Sequence, residues 1–408
     1  MPAADRDVVV TGMGAVSAFG TGAGALWDGL AAGRCAIGPL RHPRAAELRI
    51  PIAAQVPDGF DPAGCIDERR LAMLDRTSQF ALVAAAEAMA QSGLVSGASF
   101  APERAAAIIG TGIGGETTHD EQCRRLYAEG ATRVHPLTIV RLMTNAAASQ
   151  VSIVHGIKGP SFVVASACAS SNHAISQAVQ LIRGGLADVV VTGGTEACLT
   201  YGSLRAWEAM RVAADDTCRP FSANRKGLVL GEGAAVFTLE SRAHAAARGA
   251  TVLARIAGFG MTADAGDIVA PDVDGAARAM LLAMADAGLA PGDVDYINAH
   301  GTGTPVNDAA ETRAIRRSFG AGASRLAVSS TKSAHGHALG AAGALELVAV
   351  VGAMRHGIVP ATLNLAVPDL ECDLDYVAEG PRPMKVRAAL SNSFAFGGLN
   401  AVLAVTAD

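Results

Sequence analysis

The stretch V-V-A-S-A-C-A-S-S-N-H-A, residues 163–174, decides how the chain is read. A β-rich apolar run, Ser161 to Ala165, passes through small residues into a helix-like segment from Ser170 through Ile182. A strand that turns into a helix at Cys168 puts the sulfur at a helix N-terminus. There, unpaired N–H groups and the macrodipole favour thiolate over thiol. Free cysteine is also among the most buried residue types, and taken alone the stretch reads as a small core cysteine. The rest of the chain reverses that reading.

Outward from this stretch, strand-like and helix-like runs alternate. Upstream lie the strand Val8–Gly12, a short helix at Ala25–Ala32, and an irregular Pro-containing segment from Cys35 to Arg69. A helical pattern at Thr77–Ser92, the strand Ala105–Gly110 and two helical stretches, Glu116–Arg133 and Leu137–His155, follow. Downstream come the strand Asp188–Gly193, a loop-rich region to Asn224, and the strands Gly233–Glu240 and Thr251–Gly260. The pattern then repeats in shorter form, with helices at Gly275–Gly288, Asp308–Phe319 and Gly340–Arg355 between strands, and ends on Ala388–Ser393 and Ala401–Val405. Such alternation predicts a layered α/β fold with buried sheets. Because Val8–Gly12 and Thr251–Gly260 head similar units, the architecture is expected to be duplicated, with halves 1–250 and 251–408.

Composition narrows the function. The net charge of −5 gives no global reason to expect nucleic-acid binding, so an anionic partner needs a local basic patch. Seven cysteines, an odd number with no C-x-x-C pair, predict a reduced, cytoplasmic chain. The first residues lack the charged and apolar regions of a signal peptide. Leu339–Met354 is apolar but short and interrupted by Gly and Glu346, so it is expected to be a core helix rather than a membrane span.

Three more stretches carry chemistry-bearing residues. In N-A-H-G-T-G-T-P-V-N-D-A-A-E (298–311) a strand delivers His300 into a loop with Thr302 and Thr304 beside it. Such a terminus faces a histidine to a ligand, or simply satisfies it with loop backbone. S-S-T-K-S-A-H-G-H-A-L-G (329–340) gathers Lys332, His335 and His337, and a buried Lys332 needs a carboxylate, for which Asp308 and Glu311 are candidates. No metal-ligand spacing accompanies the histidines, so no metal is expected. S-N-S-F-A-F-G-G-L-N (391–400) sets two aromatics before a glycine pair. One cysteine at a helix start and two distant histidines form an arrangement for covalent thiol chemistry. A Cys-His-Asn protease is one such case, but its sequence signatures are absent.

On these motifs the chain resembles the β-ketoacyl-acyl carrier protein synthases of the elongating kind, within the thiolase superfamily. The likeness runs from Val8-Val-Val-Thr-Gly-Met-Gly to the end. It is carried by S-A-C-A-S-S, A-H-G-T-G-T, S-T-K-S-x-x-G-H, N-S-F-A-F-G-G and R-P-F-S-A-N-R-K-G-L-V-L-G-E-G-A-A (219–235), in that family's order and spacing. The resemblance implies a duplicated five-layer α-β-α-β-α fold and a decarboxylative Claisen condensation that extends an acyl chain by two carbons. It implies Cys168 as the nucleophile, His300 and His337 as the pair acting on the malonyl thioester, and Lys332 as their support, bridged to Glu311. Phe396 would contribute to the oxyanion hole with Cys168 and gate entry, and Thr302 and Thr304 would contact the pantetheine arm. Ile113, Trp207, Leu228 and Phe394 would shape the acyl pocket.

No cofactor is implied, because the substrates ride on the phosphopantetheine of an acyl carrier protein. An acidic carrier implies a basic rim, for which Arg69, Arg70, Arg124, Arg125 and Arg205 are candidates. The departures at His335, Leu228 and Leu399 are similar to nodulation-type and polyene-making type II polyketide ketosynthases. The partner is then a second copy, or a chain-length factor in a heterodimer. A chain-length factor itself usually lacks the nucleophile, and a thiolase needs a second catalytic cysteine, which Cys372 in P-D-L-E-C-D-L-D does not resemble.

Overall fold

The computed structural model describes residues 7–408; the expectation about a signal peptide lies outside the described residues, in 1–6. The main strands fall into two sets of five. The first is β1 (Val8–Ser17), β2 (Ala105–Gly110), β3 (Ser161–Val164), β4 (Val189–Glu196) and β5 (Gly233–Ser241). The second is β6 (Ala254–Ala263), β7 (Tyr296–Asn298), β8 (Ala327–Ser329), β9 (Ala388–Ala395) and β10 (Leu399–Thr406). Their spatial orders, β1-β5-β4-β2-β3 and β6-β10-β9-β7-β8, are the same once each set is counted from its first strand. So are the strand senses: two antiparallel junctions, then two parallel ones. The sets meet through β1 and β6, antiparallel, with Val8 opposite Ile256. That is a duplicated fold related by a pseudo-twofold.

The side-chain alternation of each strand sorts the layers. Ala106 and Ile108 of β2 point to a central core, while Ala105, Ala107 and Ile109 point to an outer one. The central core is filled by α3 (Ser170–Arg183) and α7 (Ala342–His356), which touch both sheets. Outside the first sheet lie α1 (Arg76–Ser92) and α2 (Ala146–His155); outside the second lie α5 (Val273–Ala287) and α6 (Pro305–Phe319). The outer helices that pack on the first strand of each set, α1 and α5, are capped alike. Asp75 accepts from Thr77 N at the start of α1 and Asp272 from Asp274 N at the start of α5, and each ends in a left-handed glycine, Gly93 and Gly288.

Three expectations are corrected. Leu137–His155 is two helices, Thr138–Leu142 and α2, and the helix from Glu116 ends at Tyr127. The loop-rich region before Asn224 holds α4 (Tyr201–Met210), started by Thr200, whose hydroxyl accepts from Ser203 N. Leu339–His356 is long and apolar enough to cross a membrane, but 83% of it is buried between the sheets, so it is a core helix for a reason other than length.

Candidate active site

The loops at the ends of the parallel strands of both sets converge on Cys168. The residue sits in a 3₁₀ turn, Ala167–Ala169, that runs from β3 into α3, with Ala167 at the left-handed φ of 50°. Ser170 holds this turn: its Oγ accepts from Ser166 N at 2.9 Å and lies 2.7 Å from Ala167 O and 3.2 Å from Thr111 O. The helix start can rest on the end of β2 because residue 110 is glycine; a Cβ there would lie 2.5 Å from the Ser170 backbone carbon.

His300 leaves β7, and Lys332 and His337 follow β8. Cys168 Sγ and a ring nitrogen of each histidine all lie within 4.8 Å of one another. The two rings meet edge-to-face at 5.4 Å, and Phe394 of β9 packs against His300 at 6.1 Å. Leu339 N–H donates to His337 Nδ1 at 3.2 Å, and Lys332 Nζ lies 3.3 Å from His300 Nδ1 and donates to its carbonyl at 2.7 Å. Both Nδ1 atoms therefore act as acceptors, which assigns the proton of each ring to Nε2. Burial, and then the Lys332 charge, hold both imidazoles well below the usual histidine range. They are neutral donors.

The carboxylate facing Lys332 is Glu346 of α7, not Glu311 or Asp308 as expected from the sequence. Lys332 and Glu346 form a wholly buried ion pair, and burial pushes Glu346 up to about 7 against the pull of Lys332. The carboxylates on α6 meet the free N–H groups of the loop above their helix instead. Glu311 accepts from His300 N at 2.8 Å, Gly301 N at 2.7 Å and Asn392 Nδ2 at 3.1 Å. Asp308 accepts from Gly303 N at 3.2 Å and Phe221 N at 2.8 Å. Glu311 thus fixes the His300 backbone rather than the lysine.

The thiolate expectation is also corrected. Cys168 lies in an apolar cluster with Leu228, Leu339 and Ala395, and burial pushes its thiol up to about 12 despite the Lys332 charge. A helix terminus contributes at most about 2 kcal/mol, or ~1.5 pKa units, which is too little to reverse this. Cys168 rests as the thiol.

Around the sulfur is a cavity of about 310 Å³, lined by Cys168, His300, His337, Thr302, Thr304, Trp207, Leu228, Phe394 and Phe396. Phe396 stacks on Trp207 at 6.2 Å, and the Thr302 and Thr304 hydroxyls are 2.9 Å apart. Ile113 does not line this cavity; it stands on the loop after β2 with its side chain partly in solvent. Nor do the five expected rim arginines. Arg124 faces a separate concavity with His42 and Tyr201, and Arg205 is paired to Glu208. The basic groups that do line the cavity are Arg211 and Lys226, the latter paired to Asp215 and Asp216. Cys372 packs in the outer core beside Tyr376, away from the cavity. One thiol and two imidazoles at this spacing also match a metal-ligand set, but the Lys332 ammonium beside His300 opposes a dication there.

Paired donors over one sulfur suit acyl transfer through a thioester on that sulfur. This is the class of acyltransferring condensing enzymes on a duplicated thiolase-like scaffold. Residues 5–245 match the family model "Beta-ketoacyl synthase, N-terminal domain" and residues 253–366 match "Beta-ketoacyl synthase, C-terminal domain". The chain belongs to the beta-ketoacyl synthase family and is an enzyme that extends acyl chains by condensation.

Among its relatives, Nodulation protein E of Rhizobium meliloti is 50% identical over 400 residues, covering 98% of this chain and 99% of the relative. The 3-oxoacyl-[acyl-carrier-protein] synthase 2 of Coxiella burnetii is 41% identical over 409 residues, covering 98% of each. Of solved structures, the ishigamide ketosynthase/chain length factor superposes with a TM-score of 0.94 at 32% identity, covering 99% of both chains. A type II PKS acyl-carrier protein in complex with its ketosynthase bound to the hexaketide gives a TM-score of 0.90 at 30% identity, covering 99% of this chain and 100% of that one.

Proposed function

We propose that Cys168 accepts an acyl group from an acyl carrier protein and that His300 and His337 then promote decarboxylation of a malonyl carrier. The observation that carries this is the pair of neutral imidazoles, each with a ring nitrogen within 4.8 Å of the sulfur. In the first half-reaction the Cys168 sulfur attacks the acyl thioester carbonyl, and the thiol proton leaves with the departing carrier thiol. In the second, the bond between the malonyl α-carbon and its carboxyl breaks. Carbon dioxide departs, and the electron pair becomes an enolate whose oxygen the two imidazoles hold. The enolate carbon attacks the acyl-cysteine carbonyl, and collapse expels the Cys168 thiolate, which takes up a proton. No metal or organic cofactor is needed for these steps.

In this reading Thr302 and Thr304 guide the pantetheine arm, and Phe396 on its glycine turn gates the cavity. Trp207, Leu228 and Phe394 bound the acyl chain, and Arg211 meets an acidic carrier at the mouth. The substrate in this reading is a fatty-acyl or polyene chain carried on an acyl carrier protein. The face built from Ile139, Val140 and Met143, Ile153 of α2, and Phe162 on the edge strand β3 is exposed and apolar, which supports assembly as a homodimer or a ketosynthase/chain-length-factor heterodimer. Seven free cysteines support a reducing, cytoplasmic setting.

The test is intact-mass analysis with a panel of acyl carriers followed by malonyl carrier. An acyl adduct on wild type but not on Cys168→Ala, then two-carbon extension, is the expected result; no adduct with any acyl carrier overturns it. The solution mass of the chain alone separates the assemblies, since a homodimer forms unaided and a heterodimer requires its partner.

A further inference from the structure

Glu196, the last residue of β4, is fully buried, and its carboxylate is bound by N–H groups and a hydroxyl rather than by a cation. Oε2 accepts from Gly112 N at 2.7 Å and Gly340 N at 3.0 Å; Oε1 accepts from Ile113 N and Thr111 Oγ1, both at 3.2 Å. A Cβ at residue 112 or 340 would lie 2.7 Å from Oε2, so glycine at both positions lets the two backbones close on one oxygen. Burial lifts this carboxyl to about 7 even with four donors, so it is an expensive group to keep. Its position explains its presence.

On one side, Thr111 is tied through its carbonyl to Ser170 Oγ, which holds the Cys168 turn. On the other, Gly340 adjoins Leu339, whose N–H fixes the His337 tautomer, and Ser171 of the nucleophile helix bonds the Gly340 carbonyl. The two turns come from opposite halves of the chain, and this carboxylate is the side chain on which both backbones converge. We propose that Glu196 is a positioning residue that sets Cys168 against His337 by gathering the loop behind the nucleophile and the turn behind the histidine on one carboxylate. This rests on the roles given above to Cys168 and the histidines.

The experiment separates three rates in Glu196→Gln and Thr111→Val: acylation of Cys168, decarboxylation of malonyl carrier, and condensation. Acylation uses the cysteine alone and decarboxylation the histidines alone, whereas condensation needs their relative placement. In Glu196→Gln one acceptor oxygen becomes a donor facing Ile113 N or Thr111. Acylation and decarboxylation should each stay within about threefold of wild type while condensation falls about tenfold or more, so that carbon dioxide is released without ketone. Thr111→Val, which removes one of the four donors, should show the same uncoupling to a smaller degree. Proportional loss of all three rates, or no change in any, overturns the proposal. Failure of wild type to acylate Cys168 overturns the underlying reading instead.

Discussion

The two halves have the same strand order and opposite chemistry. After the second strand of the first set comes the plain loop Thr111–Ile113; after the second strand of the other comes His300 with Thr302 and Thr304. After the third strand, one half places Cys168 and the other Lys332 and His337. After the fourth, one half ends in the anion Glu196 and the other in Phe394 and the Phe396 turn. The pseudo-twofold through β1 and β6 turns these loop ends toward each other. A duplicated scaffold can thus assign the nucleophile to one copy and the donors to the other. Neither half is a site by itself.

The largest expected effect tests that division. Cys168→Ala should abolish the acyl adduct and cut condensation by about 10⁴-fold or more, while decarboxylation of malonyl carrier persists on the intact histidines. His337→Ala should do the reverse. Acylation stays within a few fold, and decarboxylation and condensation fall by about 10²–10⁴. Separate single-turnover measurements of adduct and carbon dioxide distinguish the two. If His337→Ala also stops acylation, the halves are not chemically separate.

Next in size is the Lys332–Glu346 pair, with both partners supplied by the second half. Lys332→Met leaves Glu346 buried and unpaired and should destabilise the fold by about 3–5 kcal/mol in chemical denaturation. The double variant Lys332→Met with Glu346→Leu removes both charges and should recover most of that loss. Condensation should stay low in both, because the ammonium that keeps His300 Nδ1 an acceptor is gone. Recovery of activity along with stability would show that the pair serves packing alone.

The legibility of these features follows their range. The strands and long helices were readable because their apolar periods are local, and Cys168, His300, Lys332 and His337 because each stands at a strand end in a small-residue motif. The partner of Lys332 was not. Glu346 is the nearer acid in sequence, 14 residues on from the lysine, but it stands inside an apolar helix, and only the packing of α7 between the sheets brings it onto the lysine. A lone acid in an apolar helix was the available signal, since such a residue must be paired when buried. Arg211 and Glu196 were missed for a related reason: their roles depend on which loops meet across the pseudo-twofold. The thiolate expectation failed because a helix terminus is a local feature and desolvation is a tertiary one.

The smallest expected effect concerns His335, between the lysine and the catalytic-type histidine of the second half. It is buried, with Nε2 3.0 Å from Thr331 Oγ1 and Nδ1 3.0 Å from Gly336 O, and burial with the Lys332 charge pushes it down to about 3. Its folded value lies below the unfolded one near 6.5, so the unfolded chain binds the extra proton first as pH falls. Stability from this group is therefore intact above pH 6.5 and lost progressively toward pH 3. At pH 5 the loss is about 2 kcal/mol for one such histidine. His300 and His337 act in the same direction, and Glu196 and Glu346, raised to about 7, act in the opposite one. All four remain in His335→Gln. The difference in unfolding free energy between pH 7 and pH 5 should then shrink by about 2 kcal/mol relative to wild type, with condensation at pH 7 little changed. An unchanged difference would mean that His335 takes up its proton in the folded state, and a large loss of condensation would make it part of the His337 turn rather than a packed neighbour of it.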